Sequence, residues 1–463
     1  MRYWAQELFS TIMTQLDEAI TRYHRILESK PWSDLSWARS LQDRMRERNL
    51  YVGLRPISPV LRPHFLSRRQ YVAMSKAAES LISAIDRVEQ VAIGNPALMS
   101  RMELLPAERM LASVDPGYPF LSVTSLLDTN LNNGTLRFVK YTSEAPTGVV
   151  YSEALSEIFY DAPPMKEFRK KYNLVKLVGT KHFLAALLKA WKEWGGKGRK
   201  PNIAILEFRQ SFLTPESAES QLIVESFRGS GYGAEVVTPE QLEYRNGALH
   251  CGDFRIDLVY RRIRVHEFLV RFDLSHPLLR AYRDGKVCVV NSFRSEMAQK
   301  QALFGLLTDD TVTAGFPADE RRAVRECIPW TRMVAATKTI WQDKNVDLPE
   351  FIMKNRERLV LRPNDDSGDR SPVHGAQVDH SAWERALKVA LRSPWVVQET
   401  TEPVRSVFPV LQYGGMYLRE MRVDVHPHSF LGKVQGCSSW LTEATGAFST
   451  LDGLAPTYIL ESK

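Results

Sequence analysis

Apolar residues recur at helical spacing from the start of the chain. Trp4, Leu8, Ile12, Leu16, Ile20 and Leu27 stand four or seven positions apart, which predicts an amphipathic helix. Charges interrupt this stretch, so it lacks the unbroken apolar core of a secretory signal. A second stripe, Met74, Leu81, Ile82, Ile85 and Val88, predicts a helix over residues 71–91 with one buried side. The proline-rich piece 55–63 predicts a break before it. Residues 1–110 therefore read as mainly helical.

The period changes after residue 121. Residues 136–141 (LRFVKY) predict a strand after the tight turn Asn132-Asn133-Gly134. Residues 180–194 predict a helix ended by Gly195-Gly196. Between 201 and 300 strand and helix alternate. Strands are expected at 203–206, 234–237, 256–260 and 286–290. Thr214-Pro215 opens a helix that ends near Gly229, Thr238 to Gln241 forms a capping box, and Asn246-Gly247 turns a hairpin over 242–250. This is the rhythm of a parallel, doubly wound sheet. Residues 301–463 mix helices with strands at 360–361, 395–398 and 422–425, an α+β pattern. The expected class is α/β (α+β overall), in four units: 1–115, 116–200, 201–300 and 301–463. The glycines of Gly229-Ser230-Gly231-Tyr232-Gly233 close a helix and precede a strand. A dinucleotide loop needs the reverse order, so this segment is a helix C-cap.

Composition narrows the class. The chain has 463 residues, 44% hydrophobic and 25% charged, which excludes disordered and fibrous chains. No apolar run approaches the roughly 20 residues that a membrane helix needs. Cys251, Cys288, Cys327 and Cys437 are far apart and form no CxxC pair, so neither a zinc cluster nor a disulfide framework is indicated. A reducing compartment, the cytoplasm, is the expectation. The net charge is +7, with local excess in 166–172 and 189–200. A polyanion-binding patch is one reading. A solvated helix face with a basic linker is the other, and the absence of a nucleic-acid motif favours it.

Candidate chemistry is concentrated in the loop after residues 359–363. A strand ending in Arg362 feeds Asn364-Asp365-Asp366-Ser367-Gly368-Asp369. Backbone N–H groups of such a loop can cradle phosphates, and Asp365 and Asp366 can hold Mg²⁺ beside them. A polar surface hairpin is the alternative. His374, His380, His426 and His428 fit no HxxxH or HExxH helix signature and are expected to be isolated loop residues.

Four segments taken in order carry a resemblance: FVKYTSEAPTG (138–148), VYRR (259–262) with NSFR (291–294), RPNDD (362–366) and VVQE (396–399). Together they resemble the circularly permuted ATP-grasp proteins over roughly residues 50–463. The nearest characterised relatives in fold would be glutathionylspermidine synthase and eukaryotic glutathione synthetase. Those enzymes activate a carboxylate as an acyl phosphate for attack by an amine. The resemblance implies a pre-ATP-grasp domain at 201–300 and an ATP-grasp-like unit at 301–463, with 116–200 completing the site. It implies ATP and Mg²⁺ as cofactors, with small-molecule or peptide carboxylate and amine substrates. Arg362 takes the place of a phosphate-binding Lys, and Lys300 matches a second. Asp365, Ser367 and Gly368 belong to the phosphate loop, Gln398 and Glu399 to the adenine hinge, and Asp366 and Asp424 are candidate metal ligands.

This chain departs from the family pattern at the metal. Lys140 and Thr142 stand where Glu and Asn supply oxygen ligands, and an ammonium repels Mg²⁺. Asp369 replaces a loop glycine and would repel triphosphate. Trp440 takes the place of an Arg. The implied outcome is weak or lost catalysis, with an ATP-grasp paralogue or a second copy of the chain as partner. An active peptide or amide ligase with a rearranged site is the alternative, with Lys140 and Arg362 as its catalytic cations. A polyanion-binding module using 166–200 is a third reading. Neither membrane nor nucleic acid is an expected partner.

Overall fold

The segment Ile203–Leu206 is apolar at all four positions, which suits a strand covered on both faces. In the computed structural model it lies inside a four-stranded parallel sheet, in the order Cys288–Val290, Leu258–Arg261, Ile203–Leu206, Ala234–Val237. The structure describes residues 14–132, 135–144, 146–209, 215–365, 370–443 and 451–462. Alternate strand residues enter separate cores. Ile203, Ile205, Leu258 and Tyr260 pack with Phe183, Ile223 and Phe227 of helices Thr180–Glu193 and Pro215–Gly229. Ala204, Leu206, Val259 and Val289 pack with Phe268, Leu279 and Tyr282 of helices Val265–Arg271 and Pro277–Arg283. The sheet is thus doubly wound, as its strand–helix rhythm predicts.

One expected strand divides in two. Phe254–Ile256 completes an antiparallel meander with Leu242–Arg245 and Ala248–Cys251, whereas Leu258–Arg261 joins the parallel sheet. Asp257 marks the division. Its carboxylate accepts from the Asn202 N–H at 2.9 Å and pairs with Arg199 at 2.5 Å.

The helix Arg68–Gly94 buries the Met74, Leu81, Ile82, Ile85 and Val88 stripe, and Ser67 and Gln70 cap its start reciprocally. The N-terminal helix is Gln15–Glu28, opened by Thr14 and Asp17. Trp4, Leu8 and Ile12 lie outside the described residues, as do the Asn133-Gly134 turn and Thr214.

A mixed-length antiparallel sheet follows the order Gly453–Ala455, Lys433–Glu443, Gly415–Phe430, Thr124–Asn132, Thr135–Thr142. The predicted strand 422–425 is the middle of the 16-residue strand Gly415–Phe430. The first half of that strand pairs with Arg405–Gln412 and the second half with Thr124–Asn132. The outer edge is covered by residues 60–63. The Leu61 N–H donates to the Pro409 carbonyl at 2.7 Å, and buried Arg62 donates to Ser406 Oγ and the Val407 carbonyl, each at 2.9 Å. Such covering removes an exposed ladder of unpaired backbone groups. A second antiparallel sheet orders Thr331–Met333, Trp395–Glu399, Leu359–Pro363 and Val373–His374. A third sheet places Thr457–Ser462 between His64–Ser67 and Tyr172–Lys176, joining distant parts of the chain.

The VYRR and NSFR motifs tie these sheets together. Arg261, fully buried, donates to Glu144 and to the Ile263 carbonyl at 2.6 Å, and to Ser295 Oγ at 2.7 Å. Arg262 reaches Thr147 Oγ1 at 3.2 Å and Glu219 at 3.3 Å. Glu219 is buried and also accepts from the N–H groups of Gly148 at 2.9 Å and Val150 at 3.1 Å, closing the start of helix Val149–Tyr160. Asn291 accepts from the N–H groups of Val123 and Thr124 and donates to the carbonyls of Thr124 and Ser143. Loop 143–148 is therefore clamped against the parallel sheet.

Removing one partner of a buried ion pair strands the other charge, at a cost of about 3–5 kcal/mol. Arg261→Met is expected to lower the unfolding free energy in urea by that amount. A change below about 1 kcal/mol would show that Glu144 finds compensation elsewhere.

Candidate functional site

In the long strand Gly415–Phe430, Val423 and Val425 enter the core, which sends Arg422, Asp424, His426 and His428 to the opposite face. The cross-strand register extends this face. Trp440 lies opposite Asp424, and Lys140 opposite Asp128. His426 Nε2 is 3.6 Å from Asp128 Oδ1. Arg422 donates through Nε and Nη2 to Asp424 Oδ1 at 3.0 and 2.9 Å, so this carboxylate already has a cation on its own strand. Lys140 and Thr142 are both half-buried, two residues apart on the strand Thr135–Thr142.

Arg362, half-buried on the strand Leu359–Pro363, approaches from the other sheet beside His374. Burial first, then the guanidinium groups of Arg362 and Arg422, hold the His374 imidazole below its ordinary pKa. The two sheets thus bring cations from separate elements into one electrostatic neighbourhood.

Lys300 follows the short helix Glu296–Gln299, and its side chain is fully buried. Its ammonium lies 2.6 Å from Glu296 Oε1 and 2.9 Å from Glu108 Oε2, and it also pairs with Asp365. Burial opposes the charge on Lys300, but Glu296, Asp365 and Glu108 together outweigh it and raise its pKa. The Glu296 pKa is raised too, which for a carboxyl group favours the neutral form. Burial, then the neighbouring Glu144 carboxylate, raises it well above the carboxylate range.

The strand Trp395–Glu399 is central, with Thr331–Met333 on one side and Leu359–Pro363 on the other. Gln398 is buried and donates to Thr331 Oγ1 at 3.1 Å. Glu399 accepts from Trp341 Nε1 at 3.1 Å, and its own N–H donates to the Trp330 carbonyl at 3.0 Å. Flanking strands therefore use the ladder groups of this strand. The segment after it, 400–403, lines a cavity of about 970 Å³ together with Arg137, Arg325, Trp330 and Arg358. Asp366, Ser367 and Gly368 lie outside the described residues, as does Asp369.

Other charged groups are engaged in structure. His426 and His428 are strand residues, not loop residues as expected. His428 is buried, with Nε2 2.9 Å from Ser438 Oγ. In the basic stretch Lys171 pairs with Glu18 at 2.6 Å, Lys170 with Glu167 at 2.6 Å and Arg199 with Asp257 at 2.5 Å. Arg169 lies over the Tyr160 ring at 3.4 Å. Among the described residues no helix is long and apolar enough to cross a membrane, and the four cysteines are unbridged.

Sequence reasoning passed over Asp128, Glu108, Glu296 and His266. Asp128 had a signal, being the single charged residue in the strand Thr124–Asn132. Glu108 reads locally as a helix cap, and it does accept from the Leu105 N–H at 2.8 Å. Nothing near it in the chain announces Lys300.

No protein-family model and no curated protein matches this chain. Solved structures do. A glutathione synthetase-like effector from Globodera pallida, solved in apo form, superposes with a TM-score of 0.62 at 12% identity over 94% of this chain and 98% of that one. A putative gamma-glutamylcysteine synthetase from Methylobacillus flagellatus gives 0.42 at 11% identity, over 85% and 87%. A RimK-domain ATP-grasp protein from Sphaerobacter thermophilus gives 0.28 at 17% identity, over 55% and 89%. The first of these is a likeness of whole fold: the chain has a glutathione synthetase-like, ATP-grasp fold.

Burial, with a smaller contribution from His426, pushes His428 down to about 3. The unfolded chain takes up a proton near pH 6.5, but the folded chain resists it until about 3. The stability from neutral His428 is therefore complete above pH 6.5 and is lost as the pH falls towards 3. His428→Gln is expected to reduce the loss of unfolding free energy between pH 7 and pH 4 by about 3 kcal/mol, at about 1.4 kcal/mol per unit. Equal losses in both proteins, measured by denaturant titration at the two pH values, would refute this assignment.

Proposed function

We propose that this chain is an ATP-grasp-fold protein related to ATP-dependent carboxylate–amine ligases, in which ligation is weak or lost. It acts by binding, with an ATP-grasp paralogue or a second copy of itself as partner. The surroundings of Lys300 carry this reading. A phosphate-binding lysine must present its charge to the nucleotide, whereas this one faces three carboxylates inside the protein. Phosphate oxygens brought to it would meet Glu108 and Asp365 as well, and like charges repel most strongly where water is excluded.

The residues at the metal positions do not fit Mg²⁺. Lys140 and Thr142 occupy the places of two oxygen ligands, and Asp424 is engaged by Arg422. Magnesium requires hard oxygen donors, and an ammonium supplies none. Phosphoryl transfer in this class relies on cations that offset charge on the moving group. These substitutions act on that one requirement.

The grouping of Arg362 and Arg422 near His374 favours a second reading, an active ligase with a rearranged site. There Lys140 supplies the charge that a metal would otherwise bring.

Calorimetric titration with Mg·ATP, together with ADP release over a panel of carboxylates and amines, separates these readings. The primary reading expects no Mg-dependent micromolar binding and no ADP above background. Micromolar, Mg-dependent binding with turnover would overturn it. The rearranged site requires that Lys140→Ala abolish turnover, and it fails if Lys140→Glu raises activity.

A further inference from the structure

We propose that Glu108, His266 and Asp365 form a binding site for a divalent transition-metal ion, separate from the positions where the family resemblance places Mg²⁺. The three come from different elements: helix Pro106–Ser113, helix Val265–Arg271 and the segment that follows the strand Leu359–Pro363. One donor atom from each lies within 4.8 Å of the other two.

The buried polar atoms favour a cation here. Glu108 is fully buried. Its Oε2 is occupied by Lys300 and by the Leu105 N–H, whereas Oε1 has no hydrogen-bond donor. His266 Nδ1, also buried as an atom, makes no hydrogen bond and lies 3.4 Å from that Oε1. Glu296 Oε2 is a further buried oxygen without a donor beside the same lysine. Such oxygens are costly to bury unsatisfied. A separation of 3.4 Å suits two ligands of one ion, because donors about 2.0–2.2 Å from a tetrahedral Zn²⁺ stand about 3.4 Å apart.

Charge agrees with this geometry. Glu108 and Asp365 alone exceed Lys300 by one negative charge, and Glu296 can only add to that excess. Lys300 grips these carboxylates from one side and orients them, as supporting groups commonly do for metal ligands. One imidazole with two carboxylates favours Zn²⁺ and its transition-metal neighbours over Mg²⁺ or Ca²⁺. The site shares Asp365 with the expected phosphate loop, but it is tested with the metal alone, so its failure and that of the proposed loss of ligation are distinguishable.

The test is calorimetric titration of the chelator-treated full chain with ZnCl₂ alone, with MgCl₂ as the control and thermal melting as a second readout. The expected result is one Zn²⁺ per chain at micromolar affinity or tighter, a raised melting temperature, and no response to Mg²⁺. His266→Ala should weaken Zn²⁺ binding more than about tenfold, the loss that disturbing a ligand's supporting partner already produces. Its metal-free melting should be nearly unchanged, because the His266 side chain is 31% exposed. Asp365→Asn should weaken binding likewise and serves if His266→Ala does not fold. Absence of Zn²⁺ binding by the parent chain, or binding by a folded variant as tight as the parent's, would overturn the proposal.

Discussion

Two adjacent arginines at the end of one strand hold the architecture together. Arg261 and Arg262 are consecutive, yet their side chains diverge, one to Glu144 and the other to Glu219. Both pairs are inside the protein, where unmatched charge is most costly. Through them the parallel sheet grips loop 143–148, and that loop connects the strand bearing Lys140 to helix Val149–Tyr160. The position of the candidate site relative to the doubly wound sheet therefore depends on buried electrostatics as much as on apolar packing. The motifs that carry the family resemblance most specifically, VYRR and NSFR, are joints of the scaffold. Their chemistry is ionic and polar because they must satisfy backbone and side-chain groups where two sheets meet.

The same economy of buried charge shapes the site. On the open sheet face Arg422 is matched by Asp424 and His426 by Asp128, close pairings made within the protein. Inside, Lys300 is surrounded by acids from three different elements. A lysine on a flexible stem can serve as a mobile point charge towards phosphate, but one held among three carboxylates is an internal strut. Fold alone does not carry activity, since function belongs to sites set upon it. The likeness to the Globodera pallida protein spans nearly both chains at 12% identity, and it speaks to architecture only.

Local pattern and tertiary context contributed unequally to what could be read in advance. The strands Ile203–Leu206 and Ala234–Val237 and the stripe along helix Arg68–Gly94 follow directly from apolar periodicity. The strand Gly415–Phe430 was legible only at its centre. Its first half exposes Tyr417 and Leu418 at the sheet rim, so the in–out alternation fades there. At the candidate site, residue identity at Lys140, Thr142 and Trp440 was plain, but partnership was not. His426 meets Asp128 across about 300 positions of chain, and nothing local encodes such a meeting.

The sequence by itself determined where many of the helices and strands lie, that a parallel sheet is wound on both sides, and which side chains stand at Lys140 and Thr142. These properties depend on side-chain period, on caps and on atom type, all of which are local. Tertiary structure alone decided that Arg261 and Arg262 act as clamps, that the ladder groups of Trp395–Glu399 are shared with two neighbours, and that Lys300 faces acids. Those outcomes depend on which charges share a volume from which water is excluded. Coulomb energy there depends on distance and surroundings, and neither is written along the chain.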